Sequence, residues 1–414
     1  MNKKLLALIL ATVMVFSMMF VACTTEAPVE ENNEVVDDAQ NGEANDETEN
    51  TEEPTVDAAD FKVGVIHIGN PSDGAGYSYA HDQGIVAMQA NLNLTDDQIV
   101  RKLNIADDDA NATKIAIEEC IEEGCKIIFG TSWGYMNTME ELAAQYPEVI
   151  FSHGTGYKSN DVNFNNYFGR IYQPRYLSGI AAGLKTQSNL IGYVGAWGTE
   201  NAEVTGGIDA FAKGVAAVNP DAKVYVKVTG SWYDPTGEGT TAQALLDLGC
   251  DVIAQHCDTT APQLAAEKAG VWGVGYNTDM TKDAPKAHLT APIWDWGVYY
   301  TAATKAALEG TWKEFGNYFG GIDVGFVELS PLSENCAEGT EKYINAAKQA
   351  IIDGTFAVFD GKQLSFDEEG NVTVIDEALV DNQGNEIVPA GGACLEDSVI
   401  TGGINWYYKN VELK

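Results

Sequence analysis

From residue 62 onward, short β-branched runs alternate with stretches of helical periodicity, and the alternation is completed twice. The first series predicts strands over 63–68, 99–105, 126–129 and 149–152, with helices reaching about 91, starting near 109, and starting near a Thr138-Met-Glu-Glu141 capping box. Ile117 and Ile121 share one helix face, and Gly124 supplies the stop. After a helix over about 172–184, the second series predicts strands over 190–194, 223–228, 252–255 and 271–275. Helices over 202–218, 240–248 and 261–268 separate them. A strand, a helix and a second strand in succession place the two strands parallel, joined by a right-handed crossover. Two such series predict two doubly wound α/β lobes. Beyond 329 the rhythm loosens to one helix over 341–352 and a hairpin around Asp367-Glu-Glu-Gly370.

The length of this part, about 350 residues, exceeds what one hydrophobic core usually supports, which also argues for two domains. Residues 61–414 carry 22 Lys and Arg against 47 Asp and Glu. A surface so acidic repels phosphate backbones, so nucleic acid is excluded as a partner. No GxGxxG, GxxxxGK[ST] or GxSxG motif occurs, and no Cys/His spacing reads as a zinc site. His81-Asp82 and His256-Cys257-Asp258 lack a second histidine at i, i+4 and read as hydrogen-bonded structural histidines. The expectation is a protein that is not an enzyme, with no metal and no cofactor. Six cysteines follow residue 61, and Cys336 with Cys394 is the one disulfide expected.

The N-terminus carries its own signal. Lys3 and Lys4 precede an apolar run over 5–21 that ends in Ala22-Cys23. This reads as a lipoprotein-type secretory signal over 1–22, with lipidation at Cys23. Residues 24–60 contain 14 acidic residues and no Lys, Arg, aromatic, Ile or Leu. Such a segment buries too little apolar surface to offset chain entropy and is expected to be a disordered acidic tether. The mature chain is therefore expected outside the cell, held to the membrane by a lipid.

In open α/β sheets ligands bind beyond the carboxyl ends of the strands. Following the predicted strands are Tyr77, the run Thr131-Ser132-Trp133-Gly134-Tyr135-Met136-Asn137, and Trp197 with Glu203. Further along come Trp232 with Asp234, His256 with Asp258, Tyr276 with Asn277, and Trp294 with Asp295. Aromatic rings stand there beside carboxylates, amides and hydroxyls at strand end after strand end. Flat faces flanked by hydrogen-bonding groups suit a planar ring with polar edges, such as a nucleobase.

The same residues carry a resemblance. The runs Tyr77-Ser-Tyr-Ala-His-Asp-Gln-Gly84, Thr131-Ser-Trp-Gly-Tyr-Met136, Tyr167-Phe-Gly-Arg-Ile-Tyr-Gln173 and Ser231-Trp-Tyr-Asp-Pro235 occur in order. With Gly275-Tyr-Asn-Thr-Asp-Met280 and Ala287-His-Leu-Thr-Ala-Pro-Ile-Trp294, the chain resembles the basic membrane protein (BMP) family over about 61–326. These are substrate-binding lipoproteins of ABC importers, related to purine nucleoside receptors. The resemblance implies a type I periplasmic-binding-protein clamshell: two doubly wound parallel-sheet lobes joined by crossover strands. Lobe 1 would hold 61–170 plus about 287–328, and lobe 2 would hold 171–286 plus about 329–414 with its C-terminal extension.

By position, the resemblance implies that Tyr77 stacks on the base and Trp232 opposes it. Asn137 and Asn277 stand where the nucleoside receptors place carboxylates, and Trp294 stands where they place a lysine for the ribose. Losing that carboxylate and ammonium favours a free nucleobase over a nucleoside. Ser132, Trp133, Tyr135, Asn137, Trp197, Asp258 and Asn277 complete the expected site. The expected function is delivery of a purine to an ABC permease and its ATPase, by a monomer that performs no chemistry. The alternatives are a ligand-sensing receptor for a membrane signalling partner, or a nucleoside- or sugar-binding protein of the same fold.

Overall fold

The computed structural model describes residues 59–414 apart from Glu368. The expected signal over 1–22, the expected lipidation site Cys23 and all but the last two residues of the expected tether lie outside the described residues. No helix among the described residues is long and apolar enough to cross a membrane.

Both predicted series form, each as a six-stranded parallel sheet. In the first, the strand order is Tyr318–Gly320, Phe164–Gly169, Ile150–Gly154, Cys125–Gly130, Lys62–Ile66, Ile99–Lys102. In the second it is His288–Thr290, Trp272–Val274, Val252–His256, Leu190–Gly195, Lys223–Val228, Val411–Leu413. Every pairing within both sheets is parallel. The opening strand of each series lies inside its sheet, covered on both faces. Its sequence is accordingly a continuous apolar run: Lys62–Ile66 is buried at all but its first residue.

Within the second lobe, helix Tyr172–Lys185 packs on helix Ala202–Val218. A Cβ on Gly179 would lie 2.1 Å from the Phe211 carbonyl oxygen, so the helix backbones touch. The chain crosses between the lobes three times. The first crossing is near Arg170, and the other two are the antiparallel strands Pro292–Trp294 and Val327–Leu329. The strand His288–Thr290 pairs with Trp272–Val274. It therefore stands in the second sheet, and the chain leaves the second lobe at Ala291, a few residues past the expected change of lobe at about 287.

Local expectations are corrected at three places. The helix expected from a Thr138 capping box runs Met136–Gln145 with no side-chain cap. The 3-10 turn Trp133–Tyr135 leads directly into it and leaves Thr138 inside the helix. The helix expected to start at 240 starts at Pro235, because Asp234 accepts a hydrogen bond from Gly237 N and caps it. Cys336 and Cys394 are both free, and Cys336 Sγ instead donates to Leu289 O. The expected hairpin forms as Lys362–Phe366 with Val372–Asp376, and a second follows, Leu379–Val380 with Glu386–Val388. Both turns are built alike: Asp367 accepts from Asn371 N, and Asp381 from Asn385 N, at 2.8 Å each.

Candidate functional site

A cavity of about 80 Å³ lies between the carboxyl ends of the two sheets. Each wall residue comes from the segment that follows a strand. Ile68 and Tyr77 follow Lys62–Ile66, Asp107 follows Ile99–Lys102, Ser132 and Trp133 follow Cys125–Gly130, and Thr155 follows Ile150–Gly154. From the other lobe, Glu203 follows Leu190–Gly195, Trp232 follows Lys223–Val228, Asp258 follows Val252–His256, and Tyr276 follows Trp272–Val274. The switch-point rule for parallel sheets applies to both lobes at once.

Tyr77 stands in the first turn of helix Gly76–Leu92, where its phenol donates to the Thr131 carbonyl. Its ring meets His81 edge-on at 4.4 Å. His81 in turn lies buried, stacked on Trp296 at 3.9 Å with Nδ1 facing Tyr300 OH, a core histidine as expected. Trp232 enters from the second lobe, 5.9 Å from the His256 ring. Gly76 brings the lobes together: a Cβ there would lie 2.5 Å from the Asp258 carbonyl oxygen. The same four residues, Ile68, Tyr77, Trp232 and Asp258, continue into an adjoining space lined further by Asn70, Ser78 and Tyr233.

Three carboxylates face the cavity. Asp107 accepts from Ser132 Oγ at 2.7 Å, and Asp258 accepts from Asn277 Nδ2 at 2.9 Å. Glu203 approaches His256 Nε2 at 3.6 Å and keeps 23% of its side chain open. Burial pushes the Glu203 carboxyl up to about 7, although the Arg175 guanidinium nearby works against the rise. Burial likewise pushes Asp258 up to about 7, against the Asn277 hydrogen bond. His256, expected to be hydrogen-bonded, has neither ring nitrogen bonded, and burial holds its basicity well below the usual range. Arg175 lies over the Tyr276 ring at 4.0 Å. Its Nη1 donates to Tyr193 OH and to Gln255 O, while Nε and Nη2 find no partner.

Of the expected site residues, the structure brings Tyr77, Ser132, Trp133, Trp232 and Asp258 to the cavity wall. Asn277 stands one layer behind, held to Asp258. The remaining four do not line the cavity. The Tyr135 side chain is buried and donates to Ile105 O. Asn137 falls on the exposed side of helix Met136–Gln145, because the preceding 3-10 turn rotates it outward. Trp197 packs half-buried against the hydrophobic core. Trp294 lies buried on a crossover strand, stacked on Trp296 at 4.5 Å and tilted against Phe168 at 4.9 Å.

Sequence reasoning placed Glu203 and Tyr276 beside strand ends without assigning them to the site, and it passed over Ile68, Asp107 and Thr155. Asp107 stands next to the helix-capping Asp109, and its acidic run reads as a helix start. Ile68 and Thr155 carry no chemistry that marks them. No cluster of His, Cys, Asp and Glu suited to a metal occurs among the described residues.

The comparisons with known proteins agree with this architecture. The Bmp family, described as ABC transporter substrate-binding protein PnrA-like, matches residues 61–361. A protein of Haloferax volcanii named as an ABC transporter glucose-binding protein is 35% identical over 311 residues, 75% of this chain and 76% of its own. A protein of Brucella abortus named as purine-binding is 34% identical over 356 residues, 86% of this chain and 93% of its own. Among solved structures, an ABC transporter solute-binding protein from Aeropyrum pernix superposes with TM-score 0.60 at 16% identity, covering 74% of this chain and 93% of that one. Another from Conexibacter woesei gives 0.59 at 20% identity, covering 72% and 98%. These are similar in fold, that of type I periplasmic binding proteins. With two matching parallel-sheet lobes, a cavity at their facing strand ends, and a family match over most of its folded part, the chain belongs to the PnrA-like substrate-binding proteins of ABC transporters.

Proposed function

We propose that this chain captures a purine outside the cell and delivers it to an ABC permease, with the free nucleobase preferred to the nucleoside. The observation that carries the reading is the pairing of Tyr77 from one lobe with Trp232 from the other across a single cavity. A purine lying between them gains about 0.5–1.5 kcal/mol per aromatic contact beyond burial. Carboxylates and the Ser132 hydroxyl on the same walls suit its N–H and ring-nitrogen edges. The purine-binding relative, 34% identical over 86% of this chain, supports the same ligand class.

The preference for a free base rests on Trp294 and Asn277. Trp294 is fixed by Trp296 and Phe168, and Asn277 is committed to Asp258. Neither offers the charged pair that the nucleoside receptors use for ribose. Delivery follows from lobe closure: tighter binding in the closed state shifts the population toward the form a permease recognises. Lipidation at Cys23 would hold the protein at the membrane where the permease sits.

The test is isothermal titration of the purified protein, unfolded and refolded to remove carried ligand, with adenine, guanine, hypoxanthine, their nucleosides and glucose. Tight binding of a base with weaker nucleoside binding is expected. A nucleoside preference would overturn the reading of Trp294 and leave the purine class intact. A second reading is a sugar, favoured by the relative named as glucose-binding and compatible with stacking on Trp232. Glucose binding in the absence of any purine binding would replace the first reading with this one.

A further inference from the structure

The three carboxylates of the cavity are not equivalent. Asp107 is engaged by Ser132 Oγ, and Asp258 by Asn277 Nδ2. Glu203 makes no hydrogen bond among the described residues, and its contact is His256 Nε2 at 3.6 Å. It enters from the first turn of helix Ala202–Val218, which Asn201 caps by accepting from Val204 N. An acidic side chain near a helix N-terminus is favoured as an anion. Yet the cavity wall itself contains no Lys, Arg or His.

One positive charge, the Arg175 guanidinium, stands one layer back, beside a His256 that burial keeps neutral. Arg175 and His256 are 1% and 0% exposed, and Arg175 Nε and Nη2 and both His256 ring nitrogens lack partners. Buried polar atoms left without partners are costly and uncommon. Here they stand behind the one wall carboxylate that lacks a donor of its own. The wall thus presents an acceptor with nothing to accept, backed by one guanidinium whose charge opposes the cost of its burial.

We propose that Glu203 is the specificity-determining residue of the site. Its carboxylate accepts a ring N–H from the bound base and, with Asp107 and Asp258, rejects ligands that carry negative charge. The proposal rests on the purine reading and narrows it. Neutral purines with an N–H edge, such as adenine, guanine and hypoxanthine, would bind. Urate, an anion at neutral pH, and the purine nucleotides would be refused, because like charges in a cavity of reduced dielectric repel without the screening that water supplies.

Titration calorimetry of the stripped protein with adenine, guanine, hypoxanthine, urate and GMP tests this in the wild type, Glu203→Gln, Glu203→Asp and Glu200→Gln. Glu200 lies exposed in the turn before the helix, accepting from Gly198 N, and serves as the control. The wild type and Glu200→Gln are expected to bind at least one neutral base and neither urate nor GMP. Glu203→Gln should weaken that base by about tenfold to a hundredfold, the worth of a hydrogen bond to a charged group. It should also narrow the gap between that base and urate. Glu203→Asp, which keeps the charge, should still exclude urate.

Urate binding to the wild type as tightly as a neutral base would overturn the proposal and leave the purine reading standing. So would unchanged base affinity in a Glu203→Gln protein that melts like the wild type, or urate binding to Glu203→Asp. Failure of the wild type to bind any of the five purines would remove the purine reading, and the proposal with it.

Discussion

Gly207 lies one turn beyond Glu203 on the same helix, and its missing side chain makes room for the polar layer behind the cavity. A Cβ there would stand 2.8 Å from Arg175 Cδ and 2.8 Å from His256 Nδ1, in a place with no open space to yield. Gly207→Ala should therefore cost about 1–3 kcal/mol in a urea unfolding midpoint, the usual penalty for overpacking. It should weaken ligand binding as well, because Arg175 must move from its seat on Tyr276. Unchanged stability would mean that Arg175 is not confined as the contacts indicate.

The raised carboxyls give a pH dependence whose sign is fixed. Glu203 faces Arg175 and His256, with Tyr77, Tyr276 and Asp258 nearby, and both it and Asp258 titrate near 7 without ligand. An N–H donor binds the ionised form, so affinity for a neutral base should be full above about pH 8. It should then fall, by up to about tenfold per unit for each such group, as pH drops through 7. Stability of the unliganded protein carries the opposite contribution from these two groups. Their folded values lie above the ordinary carboxylate range, so the stability they contribute is present at low pH and is lost as pH rises through 7. Titrations at pH 6, 7 and 8 check the first, and melts of wild type against Glu203→Gln the second.

At the level of elements, the two strand–helix series were legible because each buried strand is a short apolar run bounded by Gly, Pro or Asp. The strand Val411–Leu413 was not legible, since three residues at the end of an irregular segment carry no periodicity. Only pairing with Lys223–Val228 makes it a strand. What seats it is Tyr408, which is 1% exposed and donates its backbone N–H to Asp209 Oδ1 at 2.7 Å. Tyr408→Ala should cost about 3–5 kcal/mol, as for other large buried rings. The loss would be read in the urea midpoint, accompanied by faster amide exchange over 406–414. A loss below about 1 kcal/mol would show that the C-terminal segment adds little to the second lobe.

At the scale of the whole molecule, the contact between the lobes is narrow enough to be blocked by one methyl group. Gly76 holds a left-handed backbone, φ 78–81° being shared with its neighbour Gly74, and faces the Asp258 carbonyl of the opposite lobe. In Gly76→Ala the added Cβ would strain the backbone by about 1 kcal/mol and hold the lobes apart. Ligand affinity should fall by at least tenfold, and small-angle scattering should no longer register compaction on ligand addition. Wild-type affinity would show that the lobes need not come this close.

The division of labour between sequence and structure follows from range. Local patterning determined by itself that there would be two parallel-sheet lobes, and it pointed to their strand ends, where the cavity lies. Strand and helix periods are set by neighbours a few residues apart. It also marked Tyr77, Trp232 and Asp258, since an aromatic or a carboxylate directly after a strand has few other places to go. Tertiary structure alone decided which strand-end residues share one cavity. It turned Asn137 to solvent, buried Tyr135 and stacked Trp294 on Trp296, and it brought Asp107 and Glu203 to one cavity from strands in different sheets. Those outcomes depend on helix rotation and lobe approach, long-range terms that no local pattern encodes.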